Sequence, residues 1–233
     1  MCTDEQILAE FTNRLTTEWL PTFCEDPKRN YPKDGFRRSS IKVSPVDARD
    51  FLRALDLGIV NDSGGGRYRA PRTHAFEQLF WTWTNAEHPK PISLWLEPII
   101  TIAAVARLHL QYGWPKECLG TQSKKNWAFD LFVVRPESGD SEYIAGEAKK
   151  TTREIDQLVS YMRLSCVEGD IDCSAVSQSR RNAHKKWIGL RQSRAPIFWA
   201  VGPGNNSRLF TVTYSSEGPV SLEETVDHAL LRF

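Results

Sequence analysis

Residues 127–161 read WAFDLFVVRPESGDSEYIAGEAKKTTREIDQLVSY, and this stretch decides the fold. Trp127 to Val134 is a nearly continuous apolar run of strand length, which predicts a strand covered on both faces and central in a sheet. Pro136 to Asp140 reads as a turn, and Glu142 to Lys149 as the next strand. Thr151-x-x-Glu154 is a capping-box pattern. Ile155, Leu158, Val159 and Met162 then recur at helical spacing, which predicts a capped amphipathic helix. Strand, turn, strand, helix is the signature of an α/β protein.

The flanking sequence extends this pattern in both directions. Residues 92–112 predict an apolar, buried helix that Pro98 either starts, with Glu97 near its N-cap, or kinks. Residues 179–191 predict a basic helix. Residues 196–201 and 208–214 predict two strands joined by Gly202-Pro-Gly-Asn-Asn206. Toward the N-terminus, residues 4–20 and 46–57 predict amphipathic helices, with a Pro-, Lys- and Arg-rich loop over 21–45 between them. A glycine turn and a basic strand follow at 63–69, a packing hairpin that loosely resembles a winged helix. Residues 73–85 predict a helix with Phe76, Leu79, Phe80 and Trp83 inward. The expected organisation is a mainly helical accessory region over 1–90, a candidate for target recognition, and a mixed central sheet flanked by helices over 91–233.

Composition excludes several classes. The chain has 233 residues, 40% hydrophobic and 25% charged, enough to bury a core and unlike a disordered chain. The longest apolar stretch, 92–106, is short and broken by Glu97 and Pro98, so no membrane span is expected. The start, MCTDEQ, lacks a signal-peptide pattern. Five cysteines without a CxxC pair point to reduced thiols and a cytoplasmic protein. The glycine run at 64–66 lacks the Lys-Ser/Thr of a phosphate loop, and there is no HxxxH, HxH or GxSxG. The net charge of +1 conceals a segregation. No acidic residue lies between Asp172 and Glu217, a segment carrying Arg180, Arg181, His184, Lys185, Lys186, Arg191, Arg194 and Arg208. A second basic region runs from Lys28 to Arg72. Clustered positive charge is the footprint of a phosphate-backbone binder, and these side chains otherwise read as a solvated helix face.

The chemistry is carried by Asp130 on the first strand and by Glu147-Ala148-Lys149 on the second. Residues i and i+2 of a strand share a face, so Glu147 and Lys149 project together, away from Ile144 and Ala148. If the strands pair, Asp130 lies beside Glu147. Two adjacent carboxylates repel unless neutralised, and a hard divalent cation such as Mg²⁺ is suited to that task. Such an ion polarises a phosphoryl oxygen and lowers the pKa of a bound water, while a neighbouring lysine orients that water and offsets developing charge.

Asp130 followed by Glu147-x-Lys149 resembles the PD-(D/E)xK nuclease superfamily, which has the restriction-endonuclease-like fold. Gln157-x-x-x-Tyr161, at i and i+4 on one helix face, is similar to the QxxxY motif of its RecB-like branch. The resemblance covers about residues 92–214. It implies a Mg²⁺-dependent deoxyribonuclease, with Mn²⁺ able to substitute, acting by in-line attack of a metal-bound water. Asp130, Glu147, the Ala148 carbonyl and Glu97 would ligate the metal, Lys149 would position the water, and Gln157 and Tyr161 would orient the metal shell or the strand. Phe129 stands where the family usually has Pro. Glu77 is the alternative to Glu97 as the additional carboxylate. No cysteine follows Cys173, so the iron–sulfur cluster of some RecB-like nucleases is not expected. Lys150, Arg153, Arg180, Arg181, His184, Lys185 and Lys186 are the expected DNA contacts, and Trp187 a candidate stacking residue. Homodimers are common among double-strand cutters of this fold, though no dimer seam is evident. The rival readings are a nuclease-fold protein that binds DNA without cutting it, and a protein-interaction module.

Overall fold

The apolar periodicity of the first residues builds a long helical entry. The structure, a computed structural model, describes residues 2–26, 31–82, 89–123 and 128–233. Helix α1 (Asp4–Arg14) opens on a reciprocal capping box between Thr3 and Gln6 and buries Ile7 and Phe11. It passes through a π turn at Leu15–Trp19 into α2 (Leu20–Cys24). Pro21, which has no N–H to give the ladder, falls where the register changes. Helix α3 (Pro45–Asp56) is capped by Ser44 on the Asp47 amide.

Strands β1 (Asn61–Asp62), β2 (Arg67–Arg69) and β3 (Glu77–Gln78) form a small antiparallel sheet, and β4 (Phe80–Thr82) pairs with β5 (Ile92–Leu94). The segment expected as a helix over 73–85 is therefore not helical where it is described: it bends at His74 and Ala75 and then runs into β3 and β4. Glu77 pairs with Tyr68, the Leu79 amide bonds Gly66 O, and β4 pairs with β5, so long-range pairing overrides helical spacing. Leu79 and Phe80 point inward as expected, but Phe76 is exposed, and Trp83 lies outside the described residues. The β4–β5 pair also spans the expected boundary at residue 90.

Helix α4 (Leu96–Leu110) is buried along nearly its whole length, and Pro98 lies in its first turn, where a missing N–H costs nothing. After it come β6 (Leu119–Thr121), β7 (Leu131–Val134), β8 (Glu142–Ala148), α5 (Thr152–Glu168), α6 (Gln178–Ser193), β9 (Ile197–Val201), β10 (Ser207–Tyr214) and β11 (Pro219–Thr225). The last six strands form one mixed sheet in the order β11-β10-β9-β8-β7-β6, antiparallel except for the parallel β8–β9 pair, whose crossover carries α5 and α6. Strand β7 is thus next to the edge strand β6 rather than central. Its unbroken apolar character comes from cover on both faces, all four residues being buried.

Alternation along β8 assigns the two faces. Ile144 and Ala148 pack into the cluster that holds α4 and the N-terminal elements, a core running from Ile7 to Leu231. Ala145 packs into the opposite cluster with Ile155, Leu158 and Met162 of α5 and Ala183 and Leu190 of α6. Glu147 has the parity of Ala145 and faces α5 and α6. On the other side, Arg107 of α4 is fully buried between Asp47 and Asp50 of α3, at 2.5 and 2.7 Å. Asp47 also accepts from the Gly204 amide at 2.7 Å, which ties α3 to the β9–β10 turn. This buried network fixes α4, whose first turn supplies Glu97.

Among the described residues, no helix is long and apolar enough to cross a membrane.

Candidate active site

Leu131 opposes Gly146 where β7 meets β8, so Asp130, one residue before the strand, reaches the end of β8. Its Oδ2 accepts from the Ala148 amide at 2.9 Å. A Cβ on Gly146 would lie 2.5 Å from a Leu131 methyl, so the missing side chain permits the close pairing that sets this register.

Glu147 is buried and clasped by two ammonium groups. Lys149 Nζ lies 2.7 Å from its Oε1, and Lys186 Nζ from α6 lies 2.6 Å from its Oε2. Lys149 Nζ also donates to Ala148 O at 2.9 Å and lies 3.6 Å from Glu97 Oε1. The other Glu97 oxygen accepts from the Trp95 indole at 3.1 Å. Glu77 on β3 is buried and accepts from the Gln122 amide at 2.9 Å. Both carboxylates weighed as the additional acid are therefore at the site, and Glu77 arrives on a strand, not a helix.

Four carboxylates, Glu77, Glu97, Asp130 and Glu147, thus share one neighbourhood with two ammonium groups, Lys149 and Lys186. Fully ionised, the set carries two negative charges in excess. Burial, the charge of Glu147 and that crowding push the Asp130 carboxyl up to about 7. Burial and the nearby Asp130 push Glu77 up to about 8, against the Gln122 hydrogen bond. Glu147 is also buried, but Lys186 and Lys149 outweigh desolvation and hold it below the usual carboxylate range. Burial would lower the Lys149 ammonium, yet Glu147, Asp130 and Glu97 hold it well above its ordinary value. Lys149 is accordingly a fixed cation and not a base, while Asp130 and Glu77 are poised to hold or release a proton near neutrality.

Glu97, Glu147 and Lys149 form the floor of a cleft of about 450 Å³ whose walls are α5, through Glu154, Gln157 and Leu158, and α6, through Ser179, Asn182, Lys185 and Lys186; Asp130 and Glu77 do not line it. Ser179, Asn182 and Lys186 recur at i, i+3 and i+7 and share one helix face. A Cβ on Gly189 would come within 2.4 Å of Ala128 Cβ, so this glycine lets α6 close onto the segment that carries Asp130.

Among the described residues, no three His, Cys, Asp or Glu side chains converge tightly enough to form a metal site as they stand. The donor set nevertheless matches a hard divalent cation: oxygen ligands, excess negative charge, and two carboxyls, Asp130 and Glu77, pushed toward protonation by burial and by neighbouring carboxylates. Both Glu147 oxygens face ammonium groups, so a cation there has to displace one of them.

The other expected site residues are placed as follows. Gln157 is exposed and lines the cleft, whereas Tyr161, one turn further along α5, is half-buried against the α5–α6 cluster. Lys150 pairs with Glu154 at 3.4 Å, and Arg153 is exposed. Thr151 caps α5 through the Glu154 amide, as its spacing predicts. The basic segment is largely engaged within the protein. Arg180 pairs with Glu168, Arg181 with the carbonyls of Cys173 and Val176, and Arg208 with Glu224 and Asp156. His184 is buried, stacks on Trp187 and lies beside Ser165, so neither ring is available to a nucleic acid, contrary to expectation. Lys185 and Lys186 remain at the cleft. Lys28, Arg29 and Trp127 lie outside the described residues. Sequence reasoning placed Lys186 on a phosphate-contacting face, not against Glu147. It overlooked Gln122, Trp95, Ser179 and Asn182. The i, i+3, i+7 polar stripe of α6 is the signal that would have found the last two.

No family model, curated protein or solved structure matches the chain.

Proposed function

We propose that this chain is a Mg²⁺-dependent deoxyribonuclease with a restriction-endonuclease-like core. The observation that carries the reading is the convergence of Asp130, Glu147 and Lys149 at the paired ends of β7 and β8, with Glu147 and Lys149 on the floor of a cleft walled by the QxxxY-like helix α5. The order α4, β6, β7, β8, α5, α6, β9 supports the same core: apolar helix, edge strand, strand that Asp130 precedes, Glu-x-Lys strand, capped helix, basic helix, parallel strand. Asp130 and Glu147 would hold the ion, with the Ala148 carbonyl and Glu97 beside them and Glu77 behind. Bound Mg²⁺ would polarise the scissile phosphate and acidify a water. Lys149, held protonated by three carboxylates, orients the attacking water and offsets the charge that builds on the phosphoryl oxygens. Glu77, behind the carboxylates that would hold the ion, would accept the proton released. Gln157, Ser179, Asn182 and Lys185 supply neutral and cationic donors along the walls for the phosphates on either side.

The test is cleavage of supercoiled plasmid and of single-stranded DNA with Mg²⁺, Mn²⁺ or EDTA. Metal-dependent cutting that Lys149→Ala lowers by a hundredfold or more supports the reading. Tight, salt-sensitive DNA binding without cutting by the folded wild-type protein would replace it with a binding module.

A further inference from the structure

The strand pair β4–β5 sorts its side chains by alternation. Phe80, Ile92 and Leu94 face the core and are buried. Trp81, Ser93 and Trp95 take the opposite face. There the two indoles meet edge to face, with ring centroids 5.5 Å apart, and remain 49% and 38% exposed. A pair of half-exposed tryptophans is costly to leave in water and is not explained by packing.

Its position connects it to the cleft. Trp95 stands at the N-cap position of α4, and its indole N–H donates to Glu97, whose other oxygen faces Lys149. One carboxylate therefore separates the aromatic pair from the site lysine. An occupant of this face must present a flat apolar ring while its continuation reaches a polar, lysine-lined cleft. A nucleobase attached to its phosphodiester backbone has that form. A base in a duplex has its faces covered by its neighbours, whereas an unpaired base offers one.

We propose that Trp81 and Trp95 form a stacking platform for an unpaired nucleobase next to the scissile phosphate, so that the preferred substrate is single-stranded or locally unpaired nucleic acid. This rests on the nuclease reading above. Trp95 also orients Glu97, so the experiment uses Trp81, which touches no carboxylate of the site. Fluorescence anisotropy of labelled probes is measured in EDTA for wild type, Trp81→Ala and Trp81→Phe. The probes are oligo(dT), an abasic deoxyribose-phosphate strand of equal length, and a blunt duplex. Trp81→Ala should weaken oligo(dT) binding about tenfold or more, Trp81→Phe should restore most of it, and the abasic strand should bind all three proteins alike. Equal oligo(dT) binding by wild type and Trp81→Ala overturns the platform alone, as does an equal loss on the abasic strand. Absence of binding to all three probes by the folded wild type, in EDTA and in Mg²⁺ alike, overturns both the platform and the nuclease reading. If Trp81→Ala instead converts a dimer to a monomer on size-exclusion chromatography with oligo(dT) affinity unchanged, the face is a subunit seam and the proposal fails.

Discussion

Replacing Glu77 by Gln should make the protein more stable at alkaline pH and leave it nearly unchanged at acid pH. Glu77 is 4% exposed, sits behind Asp130 and is held by the Gln122 amide. Its carboxyl is raised from 4.5 to about 8 by burial and by the charge of Asp130. The sign follows from proton linkage. Between those two values the folded protein binds a proton that the unfolded chain has released. Stability is therefore fully present below about pH 4.5 and is lost progressively as pH rises through about 8. The full difference corresponds to a ceiling of ~5 kcal/mol. Relaxation of the neighbours and entry of water reduce it, and a loss of ~2 kcal/mol between pH 5 and pH 9 is expected.

Glutamine has nearly the same shape and still accepts from Gln122, but it has no proton to lose. In EDTA, urea denaturation at pH 5, 7 and 9 should therefore give wild-type and Glu77→Gln curves that coincide at pH 5. By pH 9 they should separate by ~2 kcal/mol in favour of the variant. Addition of Mg²⁺ should close the gap by stabilising the ionised wild-type carboxylates, and the variant should lose part of this response. A stability difference that does not change with pH would refute the reasoning, because it would show that Glu77 ionises as easily in the folded protein as in the unfolded chain.

Further outcomes follow from the same charge arrangement. Lys186→Ala removes one of the two ammonium groups on Glu147, so the crowded acids should hold protons to higher pH. Cleavage should fall at least tenfold at pH 7 and partly recover at pH 8.5 to 9, read from a pH–rate profile, and stability should drop by ~1–3 kcal/mol. Gly189→Ala places a methyl group against Ala128 and forces α6 off the Asp130 segment. It should cost ~1–3 kcal/mol in thermal denaturation and lower cleavage along with it.

How much of this was legible beforehand depended on where the determining interactions lie in the chain. The stretch 142–162 is nearly self-specifying. The alternation that separates Ile144 and Ala148 from Glu147, the cap at Thr151 and the apolar stripe of α5 are all encoded within a few residues of one another. The segment 73–85 is the opposite case. Phe76, Leu79 and Phe80 mimic helical spacing, but Glu77 pairs with Tyr68, Leu79 bonds Gly66 and Phe80 pairs with the strand at 92–94, none of which a local pattern reveals. Strand β7 was misplaced within the sheet for a related reason: an apolar run reports cover above and below, and it carries no information about neighbours to either side.

Charge was the least faithful guide. A run of cations without acids between 172 and 217 reads as a free phosphate-binding face, yet Arg180, Arg191 and Arg208 are matched by Glu168, Asp170, Asp156 and Glu224, supplied from elsewhere in the chain. One cation that does reach the cleft, Lys186, is turned inward onto Glu147 and sets the ionisation of the acids around it. Segregation along the sequence thus became pairing in space. On the proposed nuclease reading, what α6 leaves for a nucleic acid is local to the cleft, at Lys185, a placement suited to guiding one strand past the carboxylates. That placement is consistent with the proposed role of the Trp81–Trp95 pair, joined to the cleft through Glu97, as a platform for an unpaired base.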